Sequence, residues 1–187
     1  MTTDWNFQTL FWVMNILYGV YSALGAIISF LAAPYYSLDE TTYLGAGFLI
    51  SGIIASFVVG VILDKFRCYK KAQIWLTIQS IVAQAVFFYS LPSRNFALAF
   101  FNASVIGASL LPISVVSFTL GAELTYPMHE SLSAGYLLTW SQFFGVIVAY
   151  VAGYLTDINP NYANLLLVIL LLCAVPFAFL TKETLGR

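Results

Sequence analysis

Residues 60–71, GVILDKFRCYKK, place five charged side chains between two long stretches that contain none. These charge-free stretches are 41–63 and 72–93, and the shorter of them has 22 residues. A helix needs about 20 apolar residues to cross a hydrocarbon layer roughly 30 Å thick, so each stretch is long enough to span it once. The segment is therefore predicted to be a polar turn between two transmembrane helices.

The whole chain repeats this pattern. Its 187 residues are 61% hydrophobic and 8% charged, with a mean hydropathy of +0.90, whereas a soluble domain carries about 25% charged residues. Uninterrupted apolar runs such as 165–172, LLLVILLL, lack the alternation of β-barrel strands. The sequence predicts an all-α, polytopic membrane protein that forms a single domain over residues 1–187. Its six transmembrane helices are predicted over residues 8–34, 41–63, 72–91, 96–120, 131–156 and 161–181.

The basic residues predict how the chain lies in the membrane. With six alternating spans, six of the seven Lys and Arg residues fall on one side, which the positive-inside rule assigns to the cytoplasm. Both termini are then expected on the cytoplasmic side, or on the matrix side if the membrane is mitochondrial. The six are Lys65, Arg67, Lys70, Lys71, Lys182 and Arg187, and Arg94 is on the other side.

An internal repeat suggests how the six helices are arranged. The second and fifth spans each end with two glycines and an aspartate at the same spacing, as expected of equivalent helices in two inverted three-helix units. These positions are Gly52, Gly60 and Asp64 in the second span and Gly145, Gly153 and Asp157 in the fifth. Small residues at such spacing allow helix backbones to approach closely. Pro112 and Pro176 are expected to kink the fourth and sixth spans, because each removes a backbone hydrogen bond.

Enzymatic chemistry is poorly supported. His129 is the only histidine, no Cys lies near it, and Cys68 and Cys173 are predicted to be separated by at least one membrane leaflet. The chain has no nucleophile, base and orienter grouping, no glycine-rich phosphate loop and no basic nucleic-acid surface. We therefore expect neither an enzyme nor a protein that holds a cofactor, a metal or nucleic acid.

Two segments resemble a known superfamily. In residues 60–71 a glycine, an aspartate four residues later and a basic cluster resemble a helix 2 to helix 3 loop of the major facilitator superfamily, with Arg67 where a second glycine is usual. Residues 123–127, ELTYP, followed by 141–145, SQFFG, look like the last third of the feline leukaemia virus subgroup C receptor family, a member of that superfamily. Residues 16–19, ILYG, agree with it too. The resemblance implies that the chain corresponds to the carboxyl-terminal six helices of a twelve-helix transporter.

That family is associated with choline and ethanolamine uptake and with proposals of haem export. The resemblance implies that Gln142 and Tyr18 match positions lining the central cavity, and a working cavity would also expose Asn15. Aromatic faces hold quaternary ammonium groups through cation–π attraction, and an amide can bind a hydroxyl group. The competing interpretations are an interhelical hydrogen bond for Gln142 and packing among helices for Tyr18.

The charged loops on the cytoplasmic side predict a second feature. Glu123 and Glu130 flank the turn between the fourth and fifth spans, on the same side as the basic loop at residues 65–71. An ionic latch between the two loops is a better hypothesis than catalysis. The latch residues are Asp64, Lys65, Arg67, Lys70, Lys71 and Glu123.

Three hypotheses about the whole protein stay open. The chain is a half-transporter for a small organic solute, completed in the bilayer by a separate six-helix chain or a second copy. Alternatively, it is a transporter-derived structural subunit of a larger membrane complex, such as a mitochondrial one, without transport activity. In the third it is a fragment of a longer polypeptide, although the polar start after Met1 favours a genuine amino terminus.

Overall fold

The computed structural model describes residues 5–181, which form seven α-helices and no strands. Lys182 and Arg187, two of the basic residues on which the predicted orientation depends, lie outside the described residues. Six helical segments are long and apolar enough to cross a membrane, because α4 and α5 together form the fourth of them. This confirms the prediction of an all-α protein with six spans. The helices are α1 (Trp5–Ala32), α2 (Leu38–Phe66), α3 (Tyr69–Ser90), α4 (Phe96–Leu110), α5 (Pro112–Leu124), α6 (Glu130–Ile158) and α7 (Pro160–Leu180).

Pro112 divides the fourth span. It is the first residue of α5, where its missing N–H costs no helical hydrogen bond, and Leu111 separates α4 from α5. Pro176, by contrast, lies inside α7, which is continuous from Pro160 to Leu180. The fourth span is therefore divided into two helices at Pro112, where a kink was expected, while α7 is continuous through Pro176.

The ends of α2 are set by local chemistry. Ser37 and Glu40 form a capping box, in which the Ser37 N–H donates to Glu40 Oε2 at 2.9 Å. At the other end Arg67 is in the left-handed conformation, with φ 49° and ψ 35°, and its N–H donates to the Leu63 carbonyl oxygen at 2.8 Å. Arg67 thus takes the backbone shape that a glycine would adopt more easily, at a cost of about 1–2 kcal/mol for an L-residue.

Helix packing follows the predicted internal repeat. The most extensive helix pairs are α1 with α6 and α2 with α4. If the second unit repeats the first, α4 and α5 correspond to α1, and α6 corresponds to α2, so these two pairs are equivalent. The next pairs, α1 with α7 and α3 with α4, are equivalent in the same way, and α3 packs on α7. This pairing is what two inverted three-helix repeats predict.

Glycines make the two main helix pairs close. A Cβ built on Gly145 would lie 3.4 Å from the Gly19 carbonyl oxygen, and one built on Gly52 would lie 3.0 Å from the Gly107 carbonyl oxygen. Gly52 and Gly145, the first glycines of the two predicted patterns, therefore each lie close to a glycine of the other repeat unit. The second glycines do not, because a Cβ on Gly60 would make only ordinary contact and one on Gly153 would meet nothing within 4 Å.

The spans differ in how much of their surface is covered. The first and fourth spans form the buried centre of the bundle, whereas the second and fifth are the least buried. Large apolar side chains of α2 and α6, including Phe57 and Tyr150, are exposed. The bundle therefore has two central spans, the first and the fourth, and two open faces, on α2 and α6.

Candidate functional site

Gln142 is an exposed amide on α6, away from both ends of the helix. It follows Glu130 by 12 residues and precedes Ile158 by 16, which is about 18 Å and about 24 Å at 1.5 Å per residue. That depth lies within the hydrocarbon region of a bilayer. A side-chain amide there needs a partner, a water-lined cavity or a ligand.

Among residues 5–181, the side chain of Gln142 has one hydrogen-bond partner. The Ser22 hydroxyl on α1 donates to Gln142 Oε1 at 3.2 Å, across the pair of helices held together by Gly19 and Gly145. The interhelical hydrogen bond considered from the sequence is therefore present. Because Gln142 is also exposed, the bond does not remove the amide from the surface.

Aromatic rings lie beside this polar pair. Tyr18 precedes Ser22 by one turn on the same face of α1. Its ring centroid is 5.7 Å from that of Tyr21, and Tyr21 stacks on Phe48 of α2 at 5.0 Å. Tyr18 and Tyr21 are both half-buried. Tyr18 therefore lies one helical turn from the residue bonded to Gln142, in a row of three rings with Tyr21 and Phe48.

Asn15 is not part of that surface. It is 3% exposed, and its Nδ2 donates to the Phe11 carbonyl oxygen of its own helix at 2.7 Å. Helix α1 is the most buried helix, and neighbouring helices cover this part of it. The structure therefore brings together two of the three residues expected at the cavity and leaves Asn15 in the interior.

The charged loops meet at one end of the bundle. Three of the predicted latch residues, Asp64, Arg67 and Glu123, line one cavity of about 630 Å³. Neither carboxylate forms an ion pair with another residue in the range 5–181. Lys65 instead lies over the Phe66 ring, with Nζ 5.5 Å from the centroid. The ionic latch stays a prediction, because three of its six residues line one cavity but the two carboxylates among them form no ion pair with a described residue.

Ser22, Tyr21 and Phe48 were not among the residues expected at the site. The helical step of four from Tyr18 is a signal that points to Ser22. The bond between Ser22 and Gln142 joins residues 120 positions apart, and the Tyr21 and Phe48 rings belong to different helices. No local pattern in the sequence contains such pairings.

Comparisons with known proteins give a consistent picture, although no family model matches the chain. The chain is 29% identical over 155 residues to an uncharacterized MFS-type transporter of Caenorhabditis elegans, covering 82% of the chain and 26% of that protein. It is 25% identical over 184 residues to the choline/ethanolamine transporter FLVCR1 of Felis catus, covering 97% and 33%. It is 26% identical over 161 residues to the choline/ethanolamine transporter FLVCR2 of Homo sapiens, covering 85% and 30%. The chain thus spans about a third or less of the length of these relatives.

Proposed function

This chain is related over most of its length to transporters of the major facilitator type, and we propose that it carries a small organic solute across a membrane as one half of such a transporter. The proposed solute is a hydroxylated organic cation or amine of the choline or ethanolamine class. That class fits the names of the relatives and the chemistry of the exposed surface. Both termini are proposed to face the cytoplasm or the mitochondrial matrix.

The observation that carries this proposal is the exposed Gln142 amide at mid-depth, which is bonded to Ser22 one helical turn from Tyr18. Lipid cannot satisfy an amide, so an uncovered Gln142 would be costly in a bilayer. Against a second bundle the same surface becomes one wall of a cavity. An aromatic face can hold the cationic end of a solute there, and an amide can bind its hydroxyl group.

The open faces of α2 and α6 support a second six-helix half. These two helices are the least buried spans. Helix α6 carries Gln142, and Phe48 of α2 stacks on Tyr21, which in turn contacts Tyr18. The second half is proposed to be a separate chain, a second copy of this one or another part of a longer polypeptide. Alternating access would then follow from rocking of one half against the other around a solute bound between them.

An uptake assay with one substitution tests the proposal. Gln142→Ala is expected to lower the efficiency of choline or ethanolamine uptake roughly five- to tenfold, since it removes about 1 kcal/mol or more of hydrogen bonding to the solute. Membrane insertion should be unchanged, as measured by the amount of protein in the membrane fraction.

Gln79→Ala is the matched control. Gln79 is also an amide at bilayer depth, but it lines an outer groove between α3 and α4, away from the proposed cavity. Equal uptake by Gln142→Ala and Gln79→Ala would remove Gln142 from the site. If the native chain carries no solute and is found only in a larger complex without a second six-helix half against Gln142, the structural-subunit alternative replaces this proposal.

A further inference from the structure

Ser22 uses its hydroxyl differently from several other hydroxyl residues in these helices. Ser56 donates to the Gly52 carbonyl oxygen at 2.8 Å, Ser104 to that of Phe100 at 2.9 Å and Thr139 to that of Gly135 at 2.8 Å. Such bonds within one turn are the usual arrangement for Ser and Thr inside helices. Ser22 instead donates to a side chain of another helix. The Ser22 hydroxyl therefore binds the Gln142 side chain and not a carbonyl oxygen of its own helix.

Local packing holds Ser22 in that position. A Cβ built on Gly145 would lie 3.0 Å from Ser22 Cβ and 3.1 Å from Ser22 Oγ, tighter than ordinary van der Waals contact. Gly145 and Gln142 lie one turn apart on α6, so the glycine provides the space from which the hydroxyl reaches the amide. The bond between Ser22 and Gln142 therefore depends both on the glycine at position 145 and on the hydroxyl of residue 22.

The bond decides which end of the amide is free. A side-chain amide has an acceptor oxygen and an N–H₂ group with two donors. The Oε1 atom of Gln142 accepts from Ser22, while Nε2 has no partner among residues 5–181. With the oxygen held against α1, the donors are the part of Gln142 available to a molecule on the open side.

We infer that Ser22 is a positioning residue that holds the Gln142 amide with its N–H₂ group outward, so that the site selects solutes with an oxygen acceptor near the cationic group. The inference rests on the proposed function, because it concerns how the same surface chooses its solute. A hydroxyl oxygen or an ether oxygen meets this requirement, and a methylene group of the same size does not.

Two quaternary ammonium ions of nearly equal shape test the inference as competitors of choline uptake. Methoxyethyl-trimethylammonium has an ether oxygen that can only accept, and n-butyl-trimethylammonium has a methylene in its place. The wild type should favour the ether roughly fivefold, the value of one hydrogen bond. Ser22→Ala should reduce this preference to less than twofold, because the amide can then turn its oxygen outward. Ser22→Thr, which keeps the hydroxyl, should restore it.

A second measurement does not depend on transport. Ser22→Ala and Gln142→Ala should each lower the melting temperature. The double variant should lower it by less than the sum of the two single decreases, because both substitutions remove the same hydrogen bond. Additive losses, or an ether preference that is unchanged in Ser22→Ala, would overturn the inference while choline uptake continues. Failure of the wild type to carry or bind choline or either competitor would instead overturn the proposed function.

Discussion

Replacing Gly107 with alanine should separate the second and fourth spans. A Cβ on Gly107 would overlap the Phe48 carbonyl oxygen and lie 3.0 Å from Ser51 Oγ. The obstacle is backbone, which has no alternative rotamer, so α2 and α4 must move apart by a distance on the order of an ångström to restore ordinary contact. The same shift would strain the hydrogen bond from the Ser51 hydroxyl to the Ser104 carbonyl oxygen, now 2.7 Å long.

The expected size of the effect follows from three opposing contributions. Overpacking costs about 1–3 kcal/mol and sometimes more, and the strained hydrogen bond costs about 1 kcal/mol. Alanine regains about 1 kcal/mol of helix propensity over glycine. The net loss in the free energy of unfolding is about 1–3 kcal/mol, which lowers the melting temperature by about 2–12 °C for a chain of this size.

Gly60→Ala is the matched control for this experiment. It lies between the same two spans, where its added Cβ would be 3.8 Å from Val115 Cγ1 of α5, an ordinary contact. Its stability should be unchanged or raised by up to about 1 kcal/mol. The assay is the fraction of each purified protein that stays monodisperse after heating in mild detergent. If Gly107→Ala is as stable as Gly60→Ala, the close approach of α2 and α4 described above is wrong.

Two further predictions concern a loop and a buried polar pair. Arg67→Gly should be about 1 kcal/mol more stable than Arg67→Ala in thermal unfolding. Both substitutions remove the charge, but only glycine adopts the left-handed backbone at φ 49° without strain. Equal stabilities of the two variants would mean that this conformation carries no cost. Gln84 Nε2 donates to Asn164 Oδ1 at 3.0 Å in the interior between α3 and α7, so Asn164→Leu, which leaves a buried amide without its acceptor, should cost about 1–3 kcal/mol. Combining it with Gln84→Leu should recover part of that loss, and a fully additive double variant would contradict the pairing.

The architecture of the protein agrees with the superfamily resemblance found in the sequence. The charge-free stretches along the whole chain were sufficient to predict six spans, because crossing a bilayer depends on the length and hydropathy of each segment alone. The spacing shared by Gly52 and Gly145 predicted equivalent helices, and the helix pairs agree with that equivalence.

The residue type at position 67, by contrast, did not indicate the backbone conformation of the loop. Arg67 departs from the glycine that is usual at its position, yet its backbone adopts the left-handed shape all the same. The hydrogen bond to the Leu63 carbonyl oxygen and the start of α3 two residues later determine that conformation. A residue type biases φ by only about 1–2 kcal/mol, which the surrounding helices can override.

The sequence by itself determined the number of spans, the superfamily resemblance and the two side chains, Gln142 and Tyr18, that share the candidate surface. Only the tertiary structure decided that Asn15 is buried, that Ser22 holds the Gln142 oxygen and that the second glycines of the repeat make no close contact. Hydropathy is a property of consecutive residues, whereas burial and hydrogen-bond partners depend on which helices become neighbours. Ser22 and Gln142 are 120 positions apart, and it is the packing of α1 against α6 that makes them a pair.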